Sequence, residues 1–213
     1  YDVILFAIKD IEHVTIPSNI KKIDPSAFYS AKNIITFEFA PNSYLETICR
    51  SSFFGASLSK IVIPDSVKVI EDCAFENIYM KDIEVIISEN SELQSIGLCA
   101  FRRTNIKHIF IPKFVTSIGS SAFYECGNLE NILLPQELTT IKREAFFDCY
   151  HLKKVRIPQK VELIEDRVFL GCSELESIEV EAENPFYMSA EGVLWNKTQS
   201  TLVMIPKGYK KTF

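Results

Sequence analysis

Apolar side chains recur along this chain in a pattern that repeats about every 23 residues. Seven phenylalanines mark the pattern, each with an isoleucine five residues before it, and they are spaced by 25, 22, 26, 22, 23 and 23 residues. They are Phe28, Phe53, Phe75, Phe101, Phe123, Phe146 and Phe169. The same pair of residue types at one offset in every unit indicates an internal repeat.

Each unit also contains an apolar-x-apolar step, such as Ile132 and Leu134, which is often followed by a proline such as Pro135. Alternation of this kind predicts a short strand, and a proline directly after it ends the hydrogen-bonded ladder. One such unit is too short to bury its own apolar face, so the copies must stack. We therefore predict parallel coils about 4.8 Å apart, in which equivalent positions form columns.

The repeats predict one solenoid domain over residues 1–213. Within it we expect a partial first repeat at 11–22, seven repeats at 23–183 and a hairpin-bearing unit at 184–213. The hairpin strands are expected at 192–196 and 201–205. Polar insertions at 40–44 and 88–92 lengthen two units and are expected to form loops at one place in the coil. Both termini are typical of a fragment of a longer chain.

The unit at residues 118–135, with the sequence IGSSAFYECGNLENILLP, resembles leucine-rich repeats of the BspA-like type. The segment from Asn184-Pro185-Phe186 to Ile205-Pro206 is also similar to that family, and the resemblance covers residues 11–210. It implies an α/β fold, namely a leucine-rich-repeat solenoid with a concave parallel β-sheet and short 3₁₀ or irregular convex segments. It also implies a surface-exposed or secreted protein that acts in adhesion or protein binding, with no catalytic residues to carry over.

Composition restricts the class of partner. Lys and Arg number 23 against 28 Asp and Glu, which gives a net charge of −5, whereas nucleic-acid binders usually carry a basic face. No apolar run reaches the roughly 18 residues of a membrane helix, so we expect no membrane insertion within this segment. The expected partner is a protein ligand, such as a host surface or matrix protein. The oligomeric state stays open.

The candidate chemistry is sparse. His13 and His108 fall in one column four coils apart, and His151 lies elsewhere in the unit, so we interpret all three as ordinary surface residues. No phosphate-binding loop, nucleophile elbow or dinucleotide-binding glycine motif occurs. We therefore predict no enzyme, no metal site and no cofactor. Asn196 begins a glycosylation sequon, which matters only in a chain secreted by a eukaryote.

Five of the six cysteines fall in columns. Cys126, Cys149 and Cys172 occupy a position that Ala and Thr fill in other units, which favours a ladder of small buried thiols. Disulfides between neighbouring coils are the alternative, and Cys73 and Cys99 form a similar neighbouring pair.

The outward positions of the predicted concave sheet carry the candidate binding site. One column has the four apolar residues Val62, Ile86, Phe110 and Leu133 in succession, followed by Arg156. A neighbouring column with Lys60, Glu84 and His108 supplies a polar border. An apolar patch with a polar rim is typical of a protein interface. Alternatively, the apolar residues reflect only the preference of strands for branched and aromatic side chains.

We therefore predict a protein-binding module of a cell-surface or secreted protein that recognises its partner through the concave face. Two alternatives remain open, namely an intracellular protein-interaction scaffold and a structural spacer without a ligand of its own.

Overall fold

The computed structural model describes residues 3–4, 12–81 and 83–210, and within these residues the chain forms 19 strands and no helix. Eight two-residue strands form one set: β1 (Val3–Ile4), β3 (Lys22–Ile23), β5 (Thr47–Ile48), β7 (Val69–Ile70), β9 (Ser95–Ile96), β11 (Ser117–Ile118), β13 (Thr140–Ile141) and β15 (Leu163–Ile164). Longer strands alternate with them: β2 (His13–Ile16), β4 (Thr36–Phe39), β6 (Lys60–Val62), β8 (Glu84–Ile86), β10 (His108–Phe110), β12 (Asn131–Leu133), β14 (Lys154–Ile157) and β16 (Ser177–Val180). Three strands follow: β17 (Tyr187–Ala190), β18 (Val193–Asn196) and β19 (Leu202–Met204).

Each coil contributes one short strand and one long strand, and each kind pairs in parallel with its equivalent in the next coil. The short strands form one unbroken sheet of eight, in the order β1-β3-β5-β7-β9-β11-β13-β15. The register places repeat-equivalent residues side by side, for example Ile118 beside Ile141 and Phe110 beside Leu133. The predicted stacking of coils into columns is therefore observed.

The core is built from these columns. The seven repeat phenylalanines are at most 3% exposed, and their rings stack with centroids 5.1–5.5 Å apart and planes within 8° of parallel. The isoleucines of the short strands β3 to β13, such as Ile118, are at most 2% exposed and lie beside them. Each ring thus covers its neighbour, and no single coil could bury its own phenylalanine.

The segment around each phenylalanine alternates between two kinds of backbone hydrogen bond. In one coil the N–H groups of Ser121, Phe123 and Glu125 donate to carbonyls of the next coil at 2.7–2.8 Å. The N–H groups between and after them donate within the coil to the carbonyl three residues earlier, as from Tyr124 to Ser121 at 3.1 Å. Ser121 and Glu125 have φ of 53° and 55°, in the left-handed region. This geometry recurs two residues before and two residues after every repeat phenylalanine.

This alternation corrects the expected fold class. The α/β assignment is wrong for the described residues, because they contain no α-helix, and the convex 3₁₀ segments are not found there either. A 3₁₀ helix needs successive right-handed residues with consecutive i→i−3 bonds. Here every second N–H is directed to the neighbouring coil instead, so the chain forms a parallel β-solenoid joined by turns.

The column of buried cysteines supplies hydrogen bonds as well as volume. The thiols of Cys126, Cys149 and Cys172 each donate to a phenylalanine carbonyl of the preceding coil at 3.0–3.2 Å. The hydroxyl of Thr104 donates to the carbonyl of Phe101 at 2.8 Å in the same column. All six cysteines are free thiols. The Thr and Cys members of this column therefore each add one hydrogen bond, which the alanines of the earlier coils lack.

The C-terminal unit is a three-stranded antiparallel sheet, in which β17 adds to the predicted β18–β19 hairpin. Buried Asn184 attaches it to the solenoid. Its amide donates to the carbonyls of Pro158 and Val161 at 2.9 and 3.0 Å, and its Oδ1 accepts from the N–H groups of Phe186 and Tyr187 at 2.8 Å.

Residue 11, where the partial first repeat is predicted to begin, and residues 211–213 of the last unit lie outside the described residues. Within the described ranges, no helix is long and apolar enough to cross a membrane.

Removal of one stacked ring tests the role of the phenylalanine column. We expect Phe101→Ala to lower the free energy of unfolding by about 3–5 kcal/mol, because it leaves a cavity between Phe75 and Phe123. Urea unfolding measures this value. Phe114→Ala is the control, since Phe114 is largely exposed and should cost less than about 1 kcal/mol. Similar losses for the two variants would contradict the stacking role.

The buried thiols predict a loss of stability at high pH. Burial raises the pKa of Cys126 from 9.0 to about 12, so the thiol ionises in the unfolded chain well before it does in the folded one. The neutral thiol therefore contributes fully to the free energy of unfolding below pH 9, and this contribution is lost between pH 9 and 12. Above pH 9, the free energy of unfolding of the reduced wild type should therefore fall by about 1.4 kcal/mol more per pH unit than that of Cys126→Ala. Urea unfolding at pH 9 and 10 measures the difference, and equal losses would exclude this coupling.

Candidate functional site

The long strands present two outward columns of side chains, because successive residues of a strand point to opposite faces. In β12, Ile132 is buried, whereas Asn131 and Leu133 on either side of it are exposed. β6, β8 and β10 have the same pattern. We call this outward surface of the long strands the long-strand face.

Four apolar residues follow one another along the long-strand face. Val62, Ile86, Phe110 and Leu133 are 51, 39, 37 and 74% exposed. Val62 lies directly beside Ile86, and Phe110 lies directly beside Leu133. We call these four residues the apolar stripe. Water contacts all of them, and their burial by a partner would be favourable.

Charged residues lie at both ends of the stripe and along its border. Glu38 on β4 precedes the stripe, and Arg156 on β14 follows it, beside Glu179. Arg156 Nε lies 3.4 Å from Glu181 Oε1. On the border, Lys60 Nζ and Glu84 Oε2 form an ion pair of 3.3 Å across neighbouring strands. The Lys60–Glu84 pair is exposed on both sides, so it adds little stability and leaves both charged groups accessible.

The long-strand ladder is interrupted in two places. Its strands form three separate groups, β2-β4, β6-β8 and β10-β12-β14-β16, whereas the sequence predicts one continuous sheet. The two breaks follow β4 and β8, the strands that lead directly into the polar insertions at 40–44 and 88–92. The extra residues after these strands lengthen the coil, and the next long strand does not join the ladder.

Each break opens a cleft on the long-strand face. The cleft between β8 and β10 has a volume of about 430 Å³ and is lined by residues 83–87 and 107–110. Ile86 and Phe110 of the stripe lie on its two sides, and Glu84 and His108 contribute polar groups to the same cleft. The other cleft, of about 640 Å³, lies between β4 and β6 and includes Val62, Asp65 and Glu92. The face is therefore an apolar stripe with two openings.

Comparison with known proteins identifies the family. The sequence model of the BspA type leucine rich repeat region matches residues 4–81 and 79–189, in six copies. This chain belongs to the BspA-type leucine-rich repeat family. Such repeats stack into modules that bind other proteins through an extended surface. No curated protein matches the sequence significantly.

Solved structures share the fold of this BspA-type chain. The pneumococcal vaccine antigen PcpA aligns with a TM-score of 0.72 at 23% identity, over 95% of this chain and 48% of PcpA. A leucine-rich repeat protein of Bacteroides ovatus aligns at 0.60 and 29% identity, over 81% of this chain and 38% of that protein. A leucine rich cell surface protein of Faecalibacterium prausnitzii aligns with a TM-score of 0.63 at 23% identity, over 92% of this chain and 55% of that protein. The BspA-type chain thus spans about half or less of these relatives.

The predicted site residues of the BspA-type chain are all on the long-strand face. The structure places Val62, Ile86, Phe110 and Leu133 in one column, with Lys60, Glu84 and His108 beside them and Arg156 at the end. The sequence did not predict the clefts, although the two insertions were a signal for them. The role of these residues in binding stays a prediction.

The histidines of the BspA-type chain have unrelated surroundings. Nδ1 of His13 is 2.9 Å from the hydroxyl of Thr36, and Nδ1 of His151 is 2.9 Å from a carboxylate oxygen of Glu174. His108 lines the cleft between β8 and β10.

One cluster of metal-ligating groups occurs in the described part of the BspA-type chain. Sγ of Cys73, Sγ of Cys99 and a carboxylate oxygen of Glu76 lie within 4.8 Å of one another on the turns of two adjacent coils. The sequence predicted that the two cysteines are neighbours in one column, but it did not indicate Glu76. The turn geometry brings the Glu76 carboxylate to the two sulfur atoms.

Substitutions on β10 test the assignment of outward and inward positions. Phe110→Asp should leave the protein folded, because Phe110 is 37% exposed and a carboxylate at this position can reach water. Ile109→Asp is the matched comparison one residue away, and it should unfold the protein, because a buried carboxylate would lack a partner. Urea unfolding measures both. A loss of folding by Phe110→Asp would show that its side chain is structural.

Proposed function

We propose that this chain is the ligand-binding repeat module of a cell-surface or secreted protein, and that it binds a protein partner through the long-strand face. The apolar stripe carries the proposal. Four exposed apolar residues in succession are unlike the surrounding surface, which has charged residues at the stripe's ends and along its border. An apolar centre with a polar rim is the usual anatomy of a protein interface.

The cleft between β8 and β10 is the proposed centre of the interface. Ile86 and Phe110 flank it, so a partner side chain inserted there would contact apolar groups on both sides. Binding energy concentrates where a side chain fills a pocket from which water is excluded. Leu133, the most exposed member of the stripe, would extend the contact to the neighbouring coil.

The polar border supplies the proposed orientation of the partner. Lys60 and Glu84 neutralise each other, whereas Arg156 is paired at one end with Glu181. Charges at an interface rim affect the rate and specificity of association more than its final affinity. Substitutions at Lys60, Glu84, His108 and Arg156 are therefore expected to have smaller effects than substitutions in the stripe.

The proposed location at the cell surface rests on the relatives. The Faecalibacterium prausnitzii structure is described as a leucine rich cell surface protein, and the pneumococcal one as a vaccine antigen. An adhesive role toward a host surface or matrix protein fits both descriptions. An intracellular scaffold would have the same fold, so the fold alone does not separate the two alternatives.

Antibody staining of cells that produce the protein tests its location. If the protein is at the cell surface, an antibody against this chain should stain intact cells. If the scaffold alternative is correct, the antibody should stain only permeabilised cells.

A binding screen with matched variants tests the proposed face. The purified chain is applied to an immobilised panel of host surface and extracellular matrix proteins, and affinity is measured for each protein that binds. We expect Ile86→Asp and Phe110→Asp each to weaken binding by about thirtyfold or more, the effect of losing an interface hot spot.

Leu163→Asp is the matched control. Leu163 is an apolar residue of similar exposure on β15 of the short-strand sheet, so its substitution should leave the affinity unchanged. Retention of binding by both stripe variants would place the interface elsewhere. A panel in which nothing binds would favour the spacer alternative.

A further inference from the structure

The cluster formed by Cys73, Glu76 and Cys99 lies outside the long-strand face and has no part in the proposed binding. Cys73 and Cys99 each precede a repeat phenylalanine by two residues, at the left-handed position of the turn, with φ of 56° and 53°. The N–H of Cys73 donates to the carbonyl of Leu98 at 2.7 Å, which holds the two turns side by side. The close approach of the thiols thus follows from the register of the coils.

The cluster is confined to these two coils. The equivalent positions in the preceding and following coils are Ser51 and Ser121, which lack a thiol. Both cysteines are partly buried, whereas Glu76 is only 7% exposed. The three groups are therefore only partly accessible to solvent.

Arg102 gives the cluster a fixed positive neighbour. Its Nη1 lies 3.4 Å from Glu76 Oε1, and its guanidinium carbon lies 5.0 Å from the centre of the Tyr124 ring. Its Nε is buried and has no hydrogen-bond acceptor among the residues that the structure describes. The Arg102 guanidinium therefore places a positive charge beside the Glu76 carboxylate.

We propose that Cys73, Cys99 and Glu76 form a binding site for a thiophilic divalent cation, Zn²⁺, with the fourth position open to water. Two thiolates and one carboxylate carry three negative charges, which one divalent cation and the Arg102 guanidinium neutralise. Zn–S bonds of about 2.3 Å in a tetrahedron place sulfur atoms about 3.8 Å apart. The ligand atoms are already within 4.8 Å, so small side-chain movements complete the geometry.

Binding exchanges protons for the metal. Each thiol loses one proton as its sulfur bonds to Zn²⁺, so two protons are released and no electron is transferred.

Titration of the reduced chain with Co²⁺ alone, in the absence of oxygen, tests the site. One equivalent should produce a thiolate-to-cobalt charge-transfer absorption, and Zn²⁺ should displace the cobalt and abolish the absorption. Cys73→Ser and Cys99→Ser should each weaken binding by more than about 100-fold, since even the loss of an outer-shell partner costs 10–100-fold. Glu76→Gln should retain the absorption and weaken binding by about tenfold or more.

Cys49→Ala is the control, because Cys49 is a buried thiol outside the cluster. It should bind Co²⁺ as the wild type does. Zn²⁺ should also raise the melting temperature of the wild type and of Cys49→Ala, but not that of the double variant Cys73→Ser/Cys99→Ser, which is itself checked for native circular dichroism.

Two outcomes would overturn the proposal. One is a charge-transfer absorption that persists in the double variant, which would place the metal elsewhere. The other is reduced protein that binds no Co²⁺ but readily forms a Cys73–Cys99 disulfide with an added disulfide oxidant. That result would assign the pair to redox chemistry, in which the two thiols lose two protons and two electrons.

Discussion

The repeat phenylalanine of each coil is buried only because the next coil lies on it in register. Phe101 is covered by Phe75 on one side and Phe123 on the other, and the backbone around it donates hydrogen bonds to the following turn. A left-handed conformation at a residue other than glycine costs about 1–3 kcal/mol. The bonds between coils repay this cost, so the turn conformation and the stacking depend on each other.

The same register organises the surface. Because equivalent residues of successive coils lie side by side, a run of similar residues at one repeat position becomes a stripe. Val62 beside Ile86 and Phe110 beside Leu133 form the apolar stripe, and Cys73 beside Cys99 forms the thiol pair. A substitution at an outward position of one repeat therefore changes one place in a surface column, whereas a substitution at an inward position affects the shared core.

Departures from the regular repeat produce the concave features of the surface. The short-strand sheet is continuous through all eight strands, and the isoleucines of β3 to β13 in it are buried. The long-strand ladder tolerates two breaks, each after an insertion, and the clefts lie at those breaks. The inward residues of both kinds of strand belong to the core. The outward residues of the long strands are freer to vary, as expected for the part of a repeat that presents a binding surface.

The sequence by itself determined the repeat, the in-register columns, the buried faces and the outward position of residues such as Phe110, because these follow from side-chain period and unit length. It also indicated the C-terminal hairpin. Only the tertiary structure decided the conformation of the turns, where hydrogen bonds to the next coil replace the expected 3₁₀ segments. It likewise decided the breaks in the ladder and the position of Glu76 beside the two cysteines. These features depend on contacts between residues of different coils, which spacing along one chain does not specify.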